Sequence, residues 1–540
     1  MASASSFAIV PLDARAPKRA KLSSGSADAI RQAVVHSSQT KTALVNTLTT
    51  LRDAGELEGF DGVNLRNAVA QSVTEHVNVD TPYGKVIQTV HLDAPKLKYL
   101  DVCSPLALLY YLGMLSVTFA EIMHDLCRSG RPLRLIIYAD EMCPGNPFRP
   151  EKSRTLQCVY WCFADWPDFM LTRTFAWPVL TLIRSTVVSS IAGGMAYVCR
   201  LLLRLFFPEN GHSLSGSGVP MSVRGFTFTV TAVFAWFLCD LKGYKENLGW
   251  KGTTGTLCCL NCVNVAKKKN VRGDVGRVVG LDCADRTKFI ARSNDDIYNN
   301  VDELAAEHPR MSTTNFEKLE TQCGFNHVPN GILMDMSLRN IFRPADHTLR
   351  DYMHVLVGDG VANTLIAETL HVMIRKGFTL PFVRRFMCQC KLPSKYGRVH
   401  EDWLRDSRLK NNTLASFSSI VITLIPIIYM FLQEFCAARE DMVDVVECFQ
   451  LLHWICGLMK VGPSRSMQHV NKLEELIQAY HAAFGRLFRS FKPKIHHLHH
   501  VIDSMRWVGK LLSCFVTERK HRSVKDAALH VFRHRTHSAR

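Results

Sequence analysis

His496 and His500 stand four residues apart in Pro493-Lys494-Ile495-His496-His497-Leu498-His499-His500, so a helix there presents two imidazoles on one face. Far upstream, Leu257-Cys258-Cys259-Leu260-Asn261-Cys262 places two thiols at the spacing from which both reach one tetrahedral ion. Each segment is half of a zinc site. Together, Cys259, Cys262, His496 and His500 make a closed Cys₂His₂ set, the kind that holds structure rather than reacts. Cys258 could replace Cys259, and His497 and His499 are further donors. The plain alternative is buried thiols and a basic surface patch. If the site closes, the chain folds back on itself and carries Glu518, in Phe515-Val516-Thr517-Glu518-Arg519-Lys520-His521, toward acids upstream of the cysteines.

Those acids are Asp140, which ends the β-prone run Leu133-Arg134-Leu135-Ile136-Ile137-Tyr138-Ala139, and Asp240, which follows another apolar run. On adjacent strands the two carboxylates come close, and each disfavours ionisation of the other unless a cation neutralises them. Mg²⁺ (or Mn²⁺) prefers such oxygen ligands. Two ions between carboxylates can activate an attacking oxygen and stabilise a leaving one. Glu518 is the candidate third carboxylate. Glu141, on the opposite face, is an alternative to Asp140, and Asp165 is a competing strand-end acid. Around Glu518, a helix sets His521, Arg522 and Lys525 at i+3, i+4 and i+7, with Arg519 and Lys520 adjoining. These are either local partners of the acid, as in Glu518 with Arg522, or cations for a phosphate backbone.

The elements that must position these groups follow from periodicity. Thr155-Leu156-Gln157-Cys158-Val159-Tyr160-Trp161-Cys162-Phe163 is a second β-prone run, and a weaker one lies near Leu171 to Trp177. A helical stretch is predicted over about 179 to 207, then a strand through Gly225 to Phe234 leading to Asp240. Three strands, a helix and a further strand predict a mixed sheet, hairpins first and a crossover later. From about 300 the period is helical, with breaks at Pro329-Asn330-Gly331 and Pro393. Residues 28 to 78 also read as helical, with apolar positions such as Ile30, Val34, Leu44, Leu48 and Leu51. Residues 1 to 27 read as a disordered tail in which Lys18, Arg19 and Lys21 form a nuclear localisation cluster.

Composition sets the frame. With 540 residues, two or three domains are expected, or one domain split by a large insertion. Hydrophobic residues make up 47%, enough for real cores and against global disorder. A formal charge of +17 favours a polyanionic partner. The 18 cysteines mostly sit singly in apolar runs, such as Cys158, Cys162 and Cys239, so a reducing compartment is expected. Ile420 to Phe431 is very apolar but interrupted by Pro426 and short of the ~20 residues that span a bilayer; buried core is expected instead.

Three blocks in this order resemble a known family. Gly249-Trp250-Lys251-Gly252 through Cys262, Asp351-Tyr352-Met353-His354, and Pro493-Lys494-Ile495-His496 through Glu518-Arg519-Lys520-His521 are similar to motifs of DDE transposases of the CACTA and Kyakuja-Dileera-Zisupton (Plavaka-like) type. The resemblance spans roughly residues 100 to 535. It implies an α/β, RNase H-like mixed-sheet core interrupted by a large all-helical insertion, after a helical N-terminal region. The implied division is a tail at 1–27, a helical region at 28–130, the first part of the core at 131–262, the insertion at 263–490 and the final helix of the core at 491–540. It also implies an Asp140, Asp240, Glu518 triad holding Mg²⁺, with Asp351 and His354 in support. The catalytic subunit of the V(D)J recombinase, a related fold, joins a CxxC to histidines before its glutamate, which agrees with zinc at Cys259, Cys262, His496 and His500. The expected partners are double-stranded DNA at transposon ends and target, and further copies in a homo-oligomer. The expected compartment is the nucleus, with no membrane. A catalytically inactive, domesticated DNA-binding derivative is the alternative expectation.

Overall fold

The computed structural model describes residues 41–53, 64–69, 79–93, 97–144, 154–266, 278–348, 350–393, 398–410, 412–488 and 491–537. The Lys18, Arg19, Lys21 cluster and the tail therefore lie outside the described residues, as does part of the 28–130 region.

The centre is a four-stranded mixed sheet of β1 (Leu133–Met142), β2 (Leu156–Phe163), β3 (Val179–Arg184) and β4 (Ala232–Leu238), in the spatial order β4-β1-β2-β3. β1, β2 and β3 are antiparallel neighbours, and β4 returns parallel to β1 on its other side. Every residue of β2 is buried, which is why this strand reads as a continuous apolar run rather than an alternation. Trp161 packs edge-on against Phe163 and Phe206, closing the core behind the sheet. Register then fixes the chemistry. Leu238 pairs with Tyr138 at the end of β4, and Asp240, two residues beyond the strand, lies near enough for its charge to act on Asp140. Asp140 itself lies inside β1, two residues before its end, and not at the strand terminus as expected.

Two of the expected elements differ. The third strand is Val179–Arg184, whereas Leu171 to Trp177 holds a helical turn and a 3-10 turn. The expected 179–207 helix is thus a strand, a short turn of helix and then the helix Gly194–Arg204. Gly193 and Gly194 both take positive φ, at 87° and 52°, and this reversal separates the strand period from the helix period. The Gly225 to Phe234 run is also divided. Phe226–Val230 pairs with Val219–Val223 in a hairpin, and the chain then enters β4.

The N-terminal region is not wholly helical. Ile87–His91 and Tyr99–Cys103 form an antiparallel pair, followed by helices Pro105–Leu115 and Val117–Cys127. Thr181 Oγ1 donates to the Asp101 carbonyl at 2.8 Å, joining this hairpin to β3. Pro105 opens its helix behind the Ser104 cap, where a missing N–H costs nothing.

Beyond residue 293 the chain is mainly helical, as expected, apart from a small hairpin of Leu409–Lys410 with Thr413–Leu414. Pro426 does not interrupt its segment but sits inside the helix Ser418–Phe435. Buried Leu424, Ile425, Ile427 and Ile428 hold that helix through the lost N–H. Ser418–Phe435 and Glu440–Met459 are long and apolar enough to cross a membrane by length and composition. Both bury part of their surface in the protein, through Val421, Leu424 and Phe431 and through Phe449, Leu452 and Ile455.

Candidate metal centre and carboxylate site

The loop carrying the cysteines begins where the helix Leu241–Leu248 ends at Gly249, which takes φ 68°. Short bridges from Leu257 to Ala266 and from Cys262 to Ala291 hold it. The histidines lie on the helix Pro493–Val508, buried along with most of its length. Cys259 Sγ is 3.3 Å from His500 Nε2, and Cys262 Sγ is 3.3 Å from the same nitrogen and 3.6 Å from His496 Nε2. One donor atom from each of the four residues lies within 4.8 Å of all the others. This buried Cys₂His₂ group could hold a metal such as zinc.

Surrounding groups explain its electrostatics. Burial opposes a thiolate at Cys259, but the Cys262 thiol and the rings of His500 and His496 outweigh it and hold Cys259 well below the usual thiol range. The same sharing raises Cys262. Burial also lowers His500, yet Cys259 and Asp503 overcome it and raise the ring to about 9. Asp503 Oδ2 bonds His500 Nδ1 at 2.8 Å, which turns Nε2 toward the thiols. Arg286 pairs with Asp503 and, at 2.8 Å, with Glu474. Arg292, itself buried, donates to the carbonyls of Cys259 and Cys262 at 3.5 and 3.2 Å.

Of the alternative donors, Cys258, His497 and His499 all stand outside the four-residue group. Cys258 Sγ turns to the Val265 carbonyl at 3.6 Å, and His499 pairs with His481 at 2.8 Å. Neither joins the four. Residues 278–293, expected within the helical insertion, are largely non-helical and pack on this centre, with Phe289 edge-on to His496 at 4.6 Å.

The carboxylates gather in a second group. Tyr138 Oη donates to Asp140 Oδ2 at 2.9 Å and to Glu518 Oε1 at 3.3 Å, a residue 380 positions away. His521 Nδ1 lies 3.8 Å from Asp140 Oδ2 and 3.9 Å from Glu518 Oε2. Asp140, Glu518 and His521 form one group within 4.8 Å. Asp240 stands outside that tight group. It caps the helix Leu241–Leu248 by accepting from the Gly243 N–H. Gly243 is needed here because a Cβ would lie 2.8 Å from Cys239 Cβ and 3.2 Å from Asp240 Oδ1. Asp140 is raised well above the carboxylate range, first by burial and then by the charges of Glu518 and Asp240.

Asp351 and His354 brace this cluster. Asp351 caps the helix Tyr352–Leu356, accepts from His354 Nδ1 at 2.9 Å and accepts from the Cys514 N–H at 3.0 Å. One buried carboxylate thereby fastens His354 and the start of the helix Phe515–His537. His354 Nε2 faces Glu518 Oε1 at 3.9 Å. Burial lowers His354, but Asp351, then Asp140 and Asp240, raise it to about 9.

The competing acids have other partners. Glu141 accepts from Ser185 at 2.6 Å and pairs with Lys242, on the opposite face of β1. Asp165 pairs with Arg134 at 2.8 Å. The basic residues near Glu518 do not share one face as expected. Thr517, His521, Val524 and Ala528 form the buried stripe of the final helix. His521 is therefore an interior neutral ring, lowered to about 4 by burial, and not a surface cation for DNA. Arg519 and Arg522 are exposed, Lys520 and Lys525 are half-buried, and Arg519 donates to the Thr172 carbonyl at 3.0 Å. Sequence reading missed Tyr138, although it stands two residues before Asp140 and so on the same face of the strand. It also missed half-buried Lys494, which donates to the Gly358 carbonyl; burial lowers its pKa, with Asp359 and then Asp240 opposing the shift. Compared with known proteins, the chain matches no family model and no curated sequence.

Proposed function

We propose that this protein is a DDE-type transposase, cleaving and joining DNA strands with an RNase H-like core. The observation that supports the reading is convergence: Asp140 and Glu518 meet through Tyr138, and the charge of Asp240, just beyond the parallel strand beside β1, acts on Asp140. The strand order, three antiparallel strands and a fourth returning parallel beside the first, agrees with such a core. Asp140 is raised by burial first and then by the nearby charges of Glu518 and Asp240, and an all-oxygen donor set suits a hard divalent ion. Asp140, Asp240 and Glu518 would hold Mg²⁺ (or Mn²⁺), which supplies Lewis-acid activation of the attacking oxygen and stabilisation of the leaving one.

The remaining residues act on these carboxylates. Tyr138 orients Asp140, His354 faces Glu518 at 3.9 Å, and buried His521 closes the back of the group. Exposed Arg519 and Arg522 would meet the phosphate backbone. Cys259, Cys262, His496 and His500 would hold Zn²⁺, cross-linking the loop after Asp240 to the helix that precedes Glu518. The three acids are then held together by a staple rather than by loop packing alone. On this reading the protein works on double-stranded DNA in the nucleus, as a homo-oligomer, with Lys18, Arg19 and Lys21 as the import signal.

The test is incubation of the purified chain with supercoiled plasmid and Mg²⁺ or Mn²⁺. Nicking or linearisation is expected, and Asp140→Asn, Asp240→Asn and Glu518→Gln should each abolish it while DNA binding persists. Cleavage undiminished in Asp240→Asn overturns the triad. Salt-dependent DNA binding with no cleavage by the wild-type chain would favour the domesticated, non-catalytic derivative.

A further inference from the structure

Arg350 is only 2% exposed, and no nitrogen of its guanidinium has a hydrogen-bond acceptor among the described residues. Its backbone is fixed, because the Arg350 N–H donates to Ser504 Oγ at 2.8 Å, on the helix Pro493–Val508. Its Cζ lies 5.1 Å from the centroid of the Tyr244 ring and 5.5 Å from that of Trp250, and both rings are themselves buried. Aromatic faces attract the charge, but they offer no lone pairs to the N–H groups that project in the guanidinium plane. Among the described residues no carboxylate forms an ion pair with Arg350. Its neighbour Asp351 is engaged by His354 and by the Cys514 N–H. His497 is fully buried, and both of its ring nitrogens also lack a hydrogen-bond partner among the described residues. The charge of Arg350 acts on that ring.

An ionised group is tolerated in a protein interior when it is paired. A buried lysine or histidine can shed its proton, but a guanidinium keeps its charge. Zinc on the thiolates of Cys259 and Cys262 cancels their charge, so the metal centre is no counter-ion for Arg350. We propose that Arg350, together with His497, binds a chloride ion enclosed by Tyr244, Trp250 and the helix Pro493–Val508. The fixed positive charge calls for an anion, and the burial of all four side chains restricts it to a small one. The guanidinium fork directs neighbouring N–H groups at one ion, and the imidazole N–H adds a further donor. A water molecule in the same place would satisfy the donors and leave the charge unbalanced. Tyr244 lies on the helix that Asp240 caps, so the ion would tie that helix to the one carrying His496 and His500. The inference does not depend on DNA being the substrate.

The experiment is urea unfolding of the full chain, with zinc present throughout, as sodium chloride replaces sodium gluconate at fixed ionic strength. Constant ionic strength removes general screening, and gluconate is too large for an enclosed position. The midpoint should rise with chloride. Above the dissociation constant, each tenfold increase in chloride should raise the folding equilibrium constant about tenfold, as for a ligand held only by the folded state. Arg350→Met keeps an unbranched apolar stem without the charge, and its midpoint should be the same in both salts. Crystals of the wild-type chain grown in sodium bromide supply a readout that does not depend on the variant folding. An anomalous bromide peak within hydrogen-bond distance of the Arg350 guanidinium is expected. Equal wild-type midpoints in chloride and gluconate overturn the proposal. So does chloride dependence retained in Arg350→Met, or a bromide map with only water, or nothing, beside Arg350.

Discussion

Asp503→Asn tests the metal centre without touching a ligand. Asp503 Oδ2 accepts from His500 Nδ1 at 2.8 Å, so its charge fixes the tautomer that leaves Nε2 free, 3.3 Å from both thiols. An Asn keeps an acceptor oxygen but loses the charge, whereas an Ala loses both. Removing an outer partner of a ligating histidine typically weakens metal affinity by 10- to 100-fold, about 1.4 to 2.7 kcal/mol. The Asp503 side chain is 41% exposed, so water screens part of its charge and Asn belongs near the lower bound, Ala near the upper. Competition against a chromophoric chelator reads the zinc affinity directly. Urea denaturation at saturating zinc should lose the same free energy, because metal that binds only the folded state stabilises it in proportion to the logarithm of affinity. If both variants bind zinc as tightly as the wild-type chain, the Cys₂His₂ assignment with His500 as an oriented ligand is wrong.

Other perturbations reach different parts of the molecule. His347 is buried and accepts from the Arg343 N–H through Nδ1. Burial lowers it to about 4 from 6.5, with Arg343 adding to the shift and Asp346 opposing it. The unfolded chain therefore binds this proton first. Its contribution is complete above pH 6.5 and is lost as pH falls toward 4. Between pH 7 and pH 5 the wild-type chain should lose about 2 kcal/mol more than His347→Phe in urea titrations; parallel losses would refute the assignment. Asp351→Ala, which strands buried donors from His354 and Cys514, should cost ~3–5 kcal/mol. It should also move the His354 titration, followed by NMR in metal-free protein, down from about 9. Phe431 is fully buried among the rings of Phe378, Phe382, Phe386 and Phe435. Phe431→Ala should destabilise by ~3–5 kcal/mol in thermal or urea melts, and a loss under 1 kcal/mol would mean this ring cluster is not a tight core.

The sequence by itself determined the donor types and several of the elements that carry them. Cys259-x-x-Cys262 and the four-residue step from His496 to His500 are local spacings, and local spacing suffices to show which donors share a loop or a helix face. Continuous apolar runs likewise marked β1 and β2, and helical period marked much of the chain beyond residue 300. Local pattern failed where two periods run together. Val179–Arg184 and Gly194–Arg204 form one apolar stretch, and only the positive-φ glycines between them divide strand from helix. It failed again for His521, because the buried stripe of the final helix depends on which side faces β1 and β2, where Tyr138 and Tyr160 lie against the ring.

Only the tertiary structure decided which of many donors meet. Cys258 and Cys259 are equivalent on paper, and the backbone turns one thiol to a carbonyl and the other to His500. Asp140 and Glu141 are neighbours on one strand, and pleating sends one toward Glu518 through Tyr138 and the other to Ser185 and Lys242. Contacts between residues hundreds of positions apart depend on strand register and helix rotation. Neither is encoded in any single segment, because both are set by how all the buried faces pack at once.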